Sequence, residues 1–406
     1  MTSLKLLSWI IAGIIVQVAV FLGLAFLRHW KEYSRLRGKG AITPSSPEDH
    51  SAAEWAGWRP FTVVRREMED AGQTICSFYL APQDGRPLPP FRPGQFLTFR
   101  LTIGTEEVIR CYSLSDAPNP AHYRISVKRV GPPAGSALPG GRSSNYLHDE
   151  VREGATLQVR APSGHFWLDR DTAPVVLIGG GIGITPMLSM VNWVLKEQPG
   201  REVWLFYGVR HGGEVIMRAR LEAMAAAHPA FHLRLCVSDP RGNEQPGRDY
   251  HHRGRIDVAL LRAELPLNPF HFYICGPTPM MESLVPALEA WGVPKERIHF
   301  EAFGPASIKR STKPPAVPAP ETTRTVTFAR SGRQLQWQAS DGSLLELAEA
   351  NGVKVNSGCR AGGCGACQTT IRSGEVAYRH APDFDPEPGT CLLCVCIPKS
   401  DVTLEA

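Results

Sequence analysis

The sequence predicts a multidomain chain: an N-terminal transmembrane helix, an antiparallel β-barrel, an α/β doubly wound parallel sheet and a small α+β domain. Three observations predict it. No residue from Leu6 to Leu27 is charged; the pattern switches near residue 171 from short alternating strands to buried strands interleaved with helical stretches; and Cys359, Cys364, Cys367, Cys391, Cys394 and Cys396 crowd together near the C-terminus. A length of 406 residues suits about three domains of roughly 100–200 residues each. With 20% charged and 43% hydrophobic residues, neither a disordered chain nor a polytopic membrane protein fits. A formal charge of +5 is modest at this length and gives nucleic-acid binding little support.

The apolar stretch from Leu6 to Leu27 would rise about 33 Å as a helix, enough to cross a hydrocarbon core of ~30 Å. It exceeds the usual apolar region of a signal peptide, and no small-x-small cleavage pattern precedes the basic flank. Arg28, Lys31, Arg35, Arg37 and Lys39 follow it, against Lys5 before it, so the positive-inside rule places the downstream domains in the cytoplasm, under the inner membrane. Trp9 and Trp30 fall at the two interfaces. Residues 1–40 thus read as an anchor with its basic flank, and 41–57 as a tether rich in Ser, Pro, Glu and Asp.

Residues 58–170 alternate in short runs such as "QFLTFRLTIG" and "HYRISVKRV", broken by Pro and Gly clusters, as an antiparallel barrel requires. Over 171–308, the strands "APVVLIG", "EVWLFYG", "HLRLCVS" and "FYICG" alternate with helices such as "PMLSMVNWVLKEQ", the order of a parallel sheet. Residues 309–323, with Pro314, Pro315, Pro318 and Pro320, read as a semi-extended linker. The last segment, 324–406, offers two strands, a helix "SLLELAEANG" ended by Gly352, a cysteine loop and closing strands.

Cys359, Cys364 and Cys367 have C-x4-C-x2-C spacing with a further cysteine downstream, the plant-type ligand pattern for a 2Fe-2S cluster. Gly362, Gly363 and Gly365 let such a loop turn tightly and aim backbone N–H groups at the sulfurs. The competing readings are a zinc site, which more often pairs two C-x2-C hairpins, and reduced structural thiols. The fourth ligand is open among Cys391, Cys394 and Cys396 from spacing alone. The segment "CLLCVCIPKSDVTLE" resembles the tail of plant-type ferredoxins, whose domain is a β-grasp fold. That resemblance implies Cys394 as the last metal ligand, with Cys391 and Cys396 as buried neighbours.

"RPGQF" and "RCYSLS" resemble the flavin signature of the ferredoxin-NADP reductase superfamily. The resemblance implies Arg110 as a flavin-phosphate partner, Cys111 as cofactor-binding, Tyr112 as a flat face for the isoalloxazine ring, and Ser113 as a donor near N5, with Tyr112 and Ser113 in catalytic roles. "YRISVKRV", which carries Val127 and Lys128, and "GGRSSNYLHDEV", which carries Gly141 and Ser144, resemble the reductase half of flavohaemoglobins and imply FAD over FMN. Phe96 departs from that pattern, where a tyrosine is usual.

In "VVLIGGGIGITPMLSM", Gly179, Gly180, Gly181 and Gly183 let backbone approach a pyrophosphate, with Ile182 and Ile184 between and after them and Thr185 and Pro186 opening a helix. The run is similar to the superfamily's own "GGxGxTP". Its partner "FYICGPTPMM" ends a strand at Cys275, Gly276 and Pro277, and the resemblance places Cys275 at the nicotinamide in a catalytic role; without it, a buried small residue is the simpler reading. "IHFEAFGP" resembles the closing segment of the module and implies Phe303 as the flavin cover, while Glu301 either tunes the flavin or caps the strand. Arg210, His211, Arg218 and Arg220 are candidates for a 2′-phosphate or solvated charges, so NADH and NADPH stay open. His148, His165, His251 and His252 have no accompanying ligand set.

The order flavin, nicotinamide, iron-sulfur is similar to that of reductase components of class IA oxygenases. It implies an NAD(P)H reductase passing electrons through FAD and a 2Fe-2S cluster to a partner such as an oxygenase, desaturase, cytochrome or quinone, and the apolar N-terminal stretch adds the expectation that it is membrane-anchored. The alternatives are a quinone-reductase-type subunit, whose modules come in a different order, and a redox sensor without turnover.

Overall fold

In β1 (Arg59–Met68), Phe61 and Val63 point inward while Pro60 and Thr62 are half-buried, the two-residue period of a strand with one face on a core. β2 (Ile75–Pro82), β3 (Phe96–Ile103), β4 (Glu106–Ser113), β5 (Tyr123–Lys128) and β6 (Thr156–Ser163) join it in an antiparallel sheet of order β4-β3-β6-β1-β2-β5. A bridge between Leu114 and Ile125 brings its two edges together, closing the barrel around Phe61, Phe78, Leu80, Phe99 and Ile125. A short helix, α1 (Arg142–Asp149), lies between β5 and β6 in the chain.

The computed structural model describes Gln17, Trp55 and residues 57–132, 140–303 and 323–406, apart from 361, 380, 381, 383 and 385. The apolar stretch from Leu6 to Leu27 apart from Gln17, nearly all of the tether and most of the Pro-rich linker lie outside the described residues. Among the described residues, no helix is long and apolar enough to cross a membrane.

The second module contains β7 (Val175–Gly180), α2 (Ile184–Glu197), β8 (Val203–Val209), α3 (Arg218–Ala227), β9 (Phe231–Val237), β10 (His252–Arg253), α4 (Val258–Glu264), β11 (His271–Gly276), α5 (Thr278–Ala290) and β12 (Ile298–Ala302). All strand pairs are parallel, in the order β10-β9-β8-β7-β11-β12. β7 is buried on both faces because neighbouring residues serve two cores. Val175 and Leu177 join the side of α2, whereas Val176 and Ile178 join that of α4 and α5. Strand order reverses between β7 and β11, so the carboxyl ends at Gly180 and Gly276 flank the crevice where α/β sheets take ligands.

The C-terminal module orders β13 (Arg324–Phe328), β14 (Arg333–Trp337), β15 (Gln368–Ser373), β17 (Thr390–Leu392) and β19 (Val402–Leu404) as β14-β13-β19-β15-β17, with β13 and β19 parallel. β16 (Val376–Tyr378) and β18 (Cys396–Pro398) form a separate pair. The helix α6 (Leu344–Ala350) starts at Ser343, which shares a reciprocal cap with Glu346, and is followed by Gly352 at φ +68°. Its Leu344, Leu345 and Leu347 pack on Val326, Phe328 and Val402.

Candidate functional site at the meeting of three modules

A cavity of about 590 Å3 is walled by all three modules. The barrel supplies Phe96, Arg110, Cys111, Tyr112 and Ser113 from β3 and β4, and Ser126, Val127 and Lys128 from β5. Gly141, Arg142, Ser143 and Ser144 bring the N-terminus of α1; Ile182, Thr185, Glu301 and Phe303 come from the nicotinamide module, and Ser357, Gly358, Cys359 and Arg360 from the cysteine loop.

Inside it, Ser113 Oγ, Ser143 Oγ and Glu301 Oε2 are buried without a hydrogen-bond partner. Unsatisfied buried polar atoms are costly, and three around one cavity fit a polar ligand. Tyr112 sits edge-on to Phe99 with ring centroids 5.7 Å apart, and burial raises its phenol above the usual value. Burial also pushes the Glu301 carboxyl up to about 8. Phe303 keeps 39% exposure, unusual for a large apolar side chain. Arg110 turns Nη1 onto its neighbour's carbonyl, Ile109 O, at 2.7 Å. This wall matches a flavin dinucleotide: an aromatic face, a hydroxyl donor, and cations with an uncapped helix N-terminus for phosphates.

Ser144 lies on the wall, but its hydroxyl is already engaged, donating to Gly141 O at 3.1 Å and accepting from Val130 N at 3.3 Å. Ser143, which sequence reasoning passed over, has the unengaged hydroxyl. Its position at the opening of α1 is the signal that pointed to it.

The glycine turn behind the cavity is occupied differently from the sequence expectation. A Cβ on Gly183 would stand 2.2 Å from Cys275 O, one on Gly179 2.9 Å from Ile184 Cα, and one on Gly276 2.4 Å from Met280 Cε. These glycines let the turns after β7 and β11 pack together, while Gly181, at φ +53° with open space beyond it, is the position left to face a ligand. Gly180, Gly183, Ile184, Pro186, Gly276 and Pro277 form these turns rather than the cavity wall. Cys275 is fully buried between Gly179 and Glu301, its register partners, and burial holds its thiol well above the usual range. Of the basic residues considered for a 2′-phosphate, Arg210 is bound to Glu214 at 2.5 Å, Arg218 to Glu222 at 2.8 Å, and Arg220 stands 3.7 Å from Asp116.

In the cysteine loop, Gly363 N donates to Cys359 Sγ at 3.2 Å, and Cys359 N and Ala366 N donate to Cys364 Sγ at 3.2 and 3.5 Å. Gly362 and Gly365 hold φ +77° and +70°. Cys359 and Cys364 make one hydrogen-bonded sulfur pair, and Cys367 and Cys394, 3.2 Å apart, make another. Two pairs of sulfurs suit the two irons of a 2Fe-2S cluster. Cys391 and Cys396 are fully buried and hydrogen-bond to each other.

The loop also touches the barrel. The Cys111 thiol reaches the sulfurs of Cys359 and Cys364, Arg160 Nη1 donates to Cys364 O at 2.9 Å, and Ser163 Oγ donates to Gly363 O at 3.4 Å.

Barrel, parallel sheet and cysteine loop around one cavity define a flavin-dependent pyridine-nucleotide oxidoreductase with an iron-sulfur domain. Family models agree: residues 60–167 match the oxidoreductase FAD-binding domain, 177–285 the oxidoreductase NAD-binding domain, and 326–399 the 2Fe-2S iron-sulfur cluster binding domain. The structure is similar to the flavohem-like FAD/NAD-binding domain of nitric oxide dioxygenase from Vibrio cholerae O1 biovar El Tor, at 35% identity over 61% of this chain and 99% of that one, TM-score 0.54. It is also similar to phthalate dioxygenase reductase, a modular structure for electron transfer from pyridine nucleotides to [2Fe-2S], at 28% identity over 86% of this chain and 98% of that one, TM-score 0.52. A flavohemoprotein of Chromobacterium violaceum is 42% identical over 254 residues, 62% of this chain and 61% of that protein. The chain thus spans a little under two thirds of the flavohemoproteins it matches.

The chain belongs to the ferredoxin-NADP reductase family of FAD/NAD-binding reductases, in the arrangement with a C-terminal 2Fe-2S ferredoxin domain. It is an NAD(P)H-dependent flavin oxidoreductase whose cofactors are FAD and a 2Fe-2S cluster, with electrons running from NAD(P)H through FAD to the cluster.

Proposed function

We propose that this chain is the reductase component of a two-part system, delivering electrons from its C-terminal domain to a separate acceptor such as an oxygenase, desaturase or cytochrome. One observation carries the reading: Cys359, a cluster ligand, lines the same cavity as Tyr112, Ser113 and Phe303. FAD held in this cavity would supply the exchange between the two-electron chemistry of a nicotinamide and the one-electron chemistry of an iron-sulfur acceptor.

The residues around it bind, orient and shield. Ser113 Oγ offers a donor at the end of β4, Tyr112 a flat apolar face, and Phe303 a cover that a nicotinamide ring can displace. Ser143 and the α1 N-terminus, with Arg110, Arg142 and Lys128, hold phosphates. Glu301 keeps its proton at neutral pH and so adds no negative charge beside the ring. Cys359, Cys364, Cys367 and Cys394 would hold the cluster. Cys111 and Arg160 fix the loop against the flavin strand.

Anaerobic stopped-flow mixing with NADH or NADPH tests this. The flavin band is expected to bleach first, the cluster band second, and added cytochrome c to be reduced only when the cluster is intact. Cytochrome c reduction at full rate by a Cys394→Ser protein lacking the cluster would sink the proposed exit route.

The uncharged stretch from Leu6 to Leu27 supports a single-pass anchor at the inner membrane, with the acceptor on the same membrane and the catalytic modules on its cytoplasmic side. Carbonate extraction of membranes tests it: the full chain is expected in the pellet and a chain lacking residues 1–40 in the supernatant. A quinone-reductase-type subunit fits less well, because the iron-sulfur domain here follows the flavin domain.

A further inference from the structure

At the amino ends of β11 and β12, away from the flavin cavity, Asp169, His271 and His299 meet. Asp169 lies just beyond the end of the barrel, His271 opens β11, and His299 stands second in β12, next to Tyr273 in register. His271 Nδ1 and His299 Nε2 are 3.3 Å apart, and each is 3.9 Å from Asp169 Oδ2.

We propose that these three side chains form a binding site for a divalent cation of the zinc class, clamping the barrel's exit to the nicotinamide sheet. A triangle with those sides has a point equidistant from its corners at about 2.1–2.2 Å, within the range of zinc bonds to imidazole nitrogen and carboxylate oxygen. The donor set suits zinc or a neighbouring transition ion, because two imidazoles and one carboxylate disfavour magnesium and calcium.

The surroundings hold the ligands in place, as groups behind a metal site do. Tyr273, fully buried, donates its hydroxyl to Asp169 Oδ2 at 3.3 Å and accepts from Asp169 N at 3.0 Å. Its ring stacks on that of His299, with centroids 4.5 Å apart and an interplanar angle of 11°. Arg201 spends its charge elsewhere, donating to the backbone oxygen of Asp169 at 2.9 Å and pairing with Asp171 Oδ1 at 3.1 Å. Asp171 Oδ2 stays 4.0 Å from His271 Nε2, the nitrogen turned away from the site, and adds negative charge behind it. The side chains of His271, His299 and Asp169 keep 16%, 28% and 45% exposure, so an ion can enter from solvent and retain water as its remaining ligands.

The test uses the full chain loaded with FAD and cluster, both verified by the visible spectrum, so that the four cluster cysteines are already occupied. After mild chelation, Zn2+ is titrated by calorimetry and by competition with a chromophoric chelator. The expected result is one saturable site per chain, with two nitrogen ligands and one carboxylate oxygen seen at the zinc absorption edge and a higher melting temperature when filled. The double variant His271→Ala/His299→Ala is expected to lose the site while retaining both chromophores. Asp169→Asn, which keeps the tyrosine contacts, is expected to weaken binding at least tenfold and to remove the thermal shift. Absence of saturable binding, or undiminished binding by Asp169→Asn or by the folded double variant, would overturn the proposal. Should the double variant lose its chromophores, Asp169→Asn alone decides.

Discussion

Arg160 Nη1 donates to the carbonyl of Cys364 at 2.9 Å, joining β6 of the flavin barrel to the cysteine loop 204 positions later in the chain. Its guanidinium lies 4.5 Å from the ring of Trp58 and 4.7 Å from that of Phe384, so it is held between an aromatic of each module. A planar, weakly hydrated cation is suited to this place, and lysine is not an equivalent.

Arg160→Ala is therefore expected to leave flavin reduction by NAD(P)H intact and to slow cluster reduction. A lost hydrogen bond to a charged donor is worth about 1.5–3 kcal/mol, which lowers the docked population roughly tenfold or more. Stopped-flow traces at separate flavin and cluster wavelengths check it; equal slowing of both phases would contradict the docking role. Gly365→Ala should act in the same direction, since a Cβ there would stand 2.6 Å from Phe384 and 2.8 Å from Arg160.

The cysteines at the end of the chain are expected to divide sharply. Cys394→Ser should lose the visible bands and half or more of the iron. Cys391→Ser and Cys396→Ser should keep both, at a stability cost of about 1–3 kcal/mol for a buried hydroxyl in a thiol-lined core. Iron analysis and the spectrum of the reduced protein in electron paramagnetic resonance distinguish the two outcomes.

Asp116 joins the barrel to the parallel-sheet module. It stands 3.2 Å from the fully buried Arg124 of β5, accepts from Asn192 of α2 at 2.7 Å, and its carbonyl accepts from Ser189 of α2 at 2.8 Å. Asp116→Ala strands the arginine without its carboxylate and is expected to cost about 3 kcal/mol in denaturant titration, far more than a surface ion pair.

The buried histidines should cost stability on mild acidification. Burial holds the His148 imidazole below its usual range, with Nε2 directed at Val127 O at 2.9 Å, and burial likewise lowers His122, His232 and His251. An unfolded histidine titrates near ~6.5, so below that value the unfolded chain binds protons that the folded chain refuses. Their contribution to the unfolding free energy therefore rises with pH across this window and levels off below the depressed folded values, whereas Glu301, pushed up to about 8, contributes the opposite slope, its share being lost as pH rises toward that value. Denaturant midpoints of the parent and of His148→Gln, compared between pH 5 and 8, isolate the histidine part: the variant is expected to gain on the parent as pH falls.

Much of this molecule was legible in its sequence because its modules announce themselves locally. The alternation in "VVLIGG" does serve two cores, and the spacing of Cys359, Cys364 and Cys367 does gather sulfurs under backbone N–H groups. Tyr112, Ser113, Val127 and Phe303 meet at one cavity although the chain places them far apart. What stayed hidden depends on contacts between modules. Nothing near Arg160 signals that it grips the cysteine loop, and nothing in "GGGIGITP" tells a glycine that packs on Cys275 from one that faces a ligand. The meeting of Asp169, His271 and His299 was equally invisible, since it exists only once the barrel's exit runs past the sheet.

Ser357, Gly358, Cys359 and Arg360 complete one side of the flavin cavity, so the iron-sulfur module acts as its stopper. Seated there, it is expected to shield a reduced flavin ring from dioxygen as well as to take its electrons. Lifting it off opens the ring to air, and a chain cut short after Phe303 should therefore burn NAD(P)H wastefully, yielding hydrogen peroxide where the whole chain yields useful work.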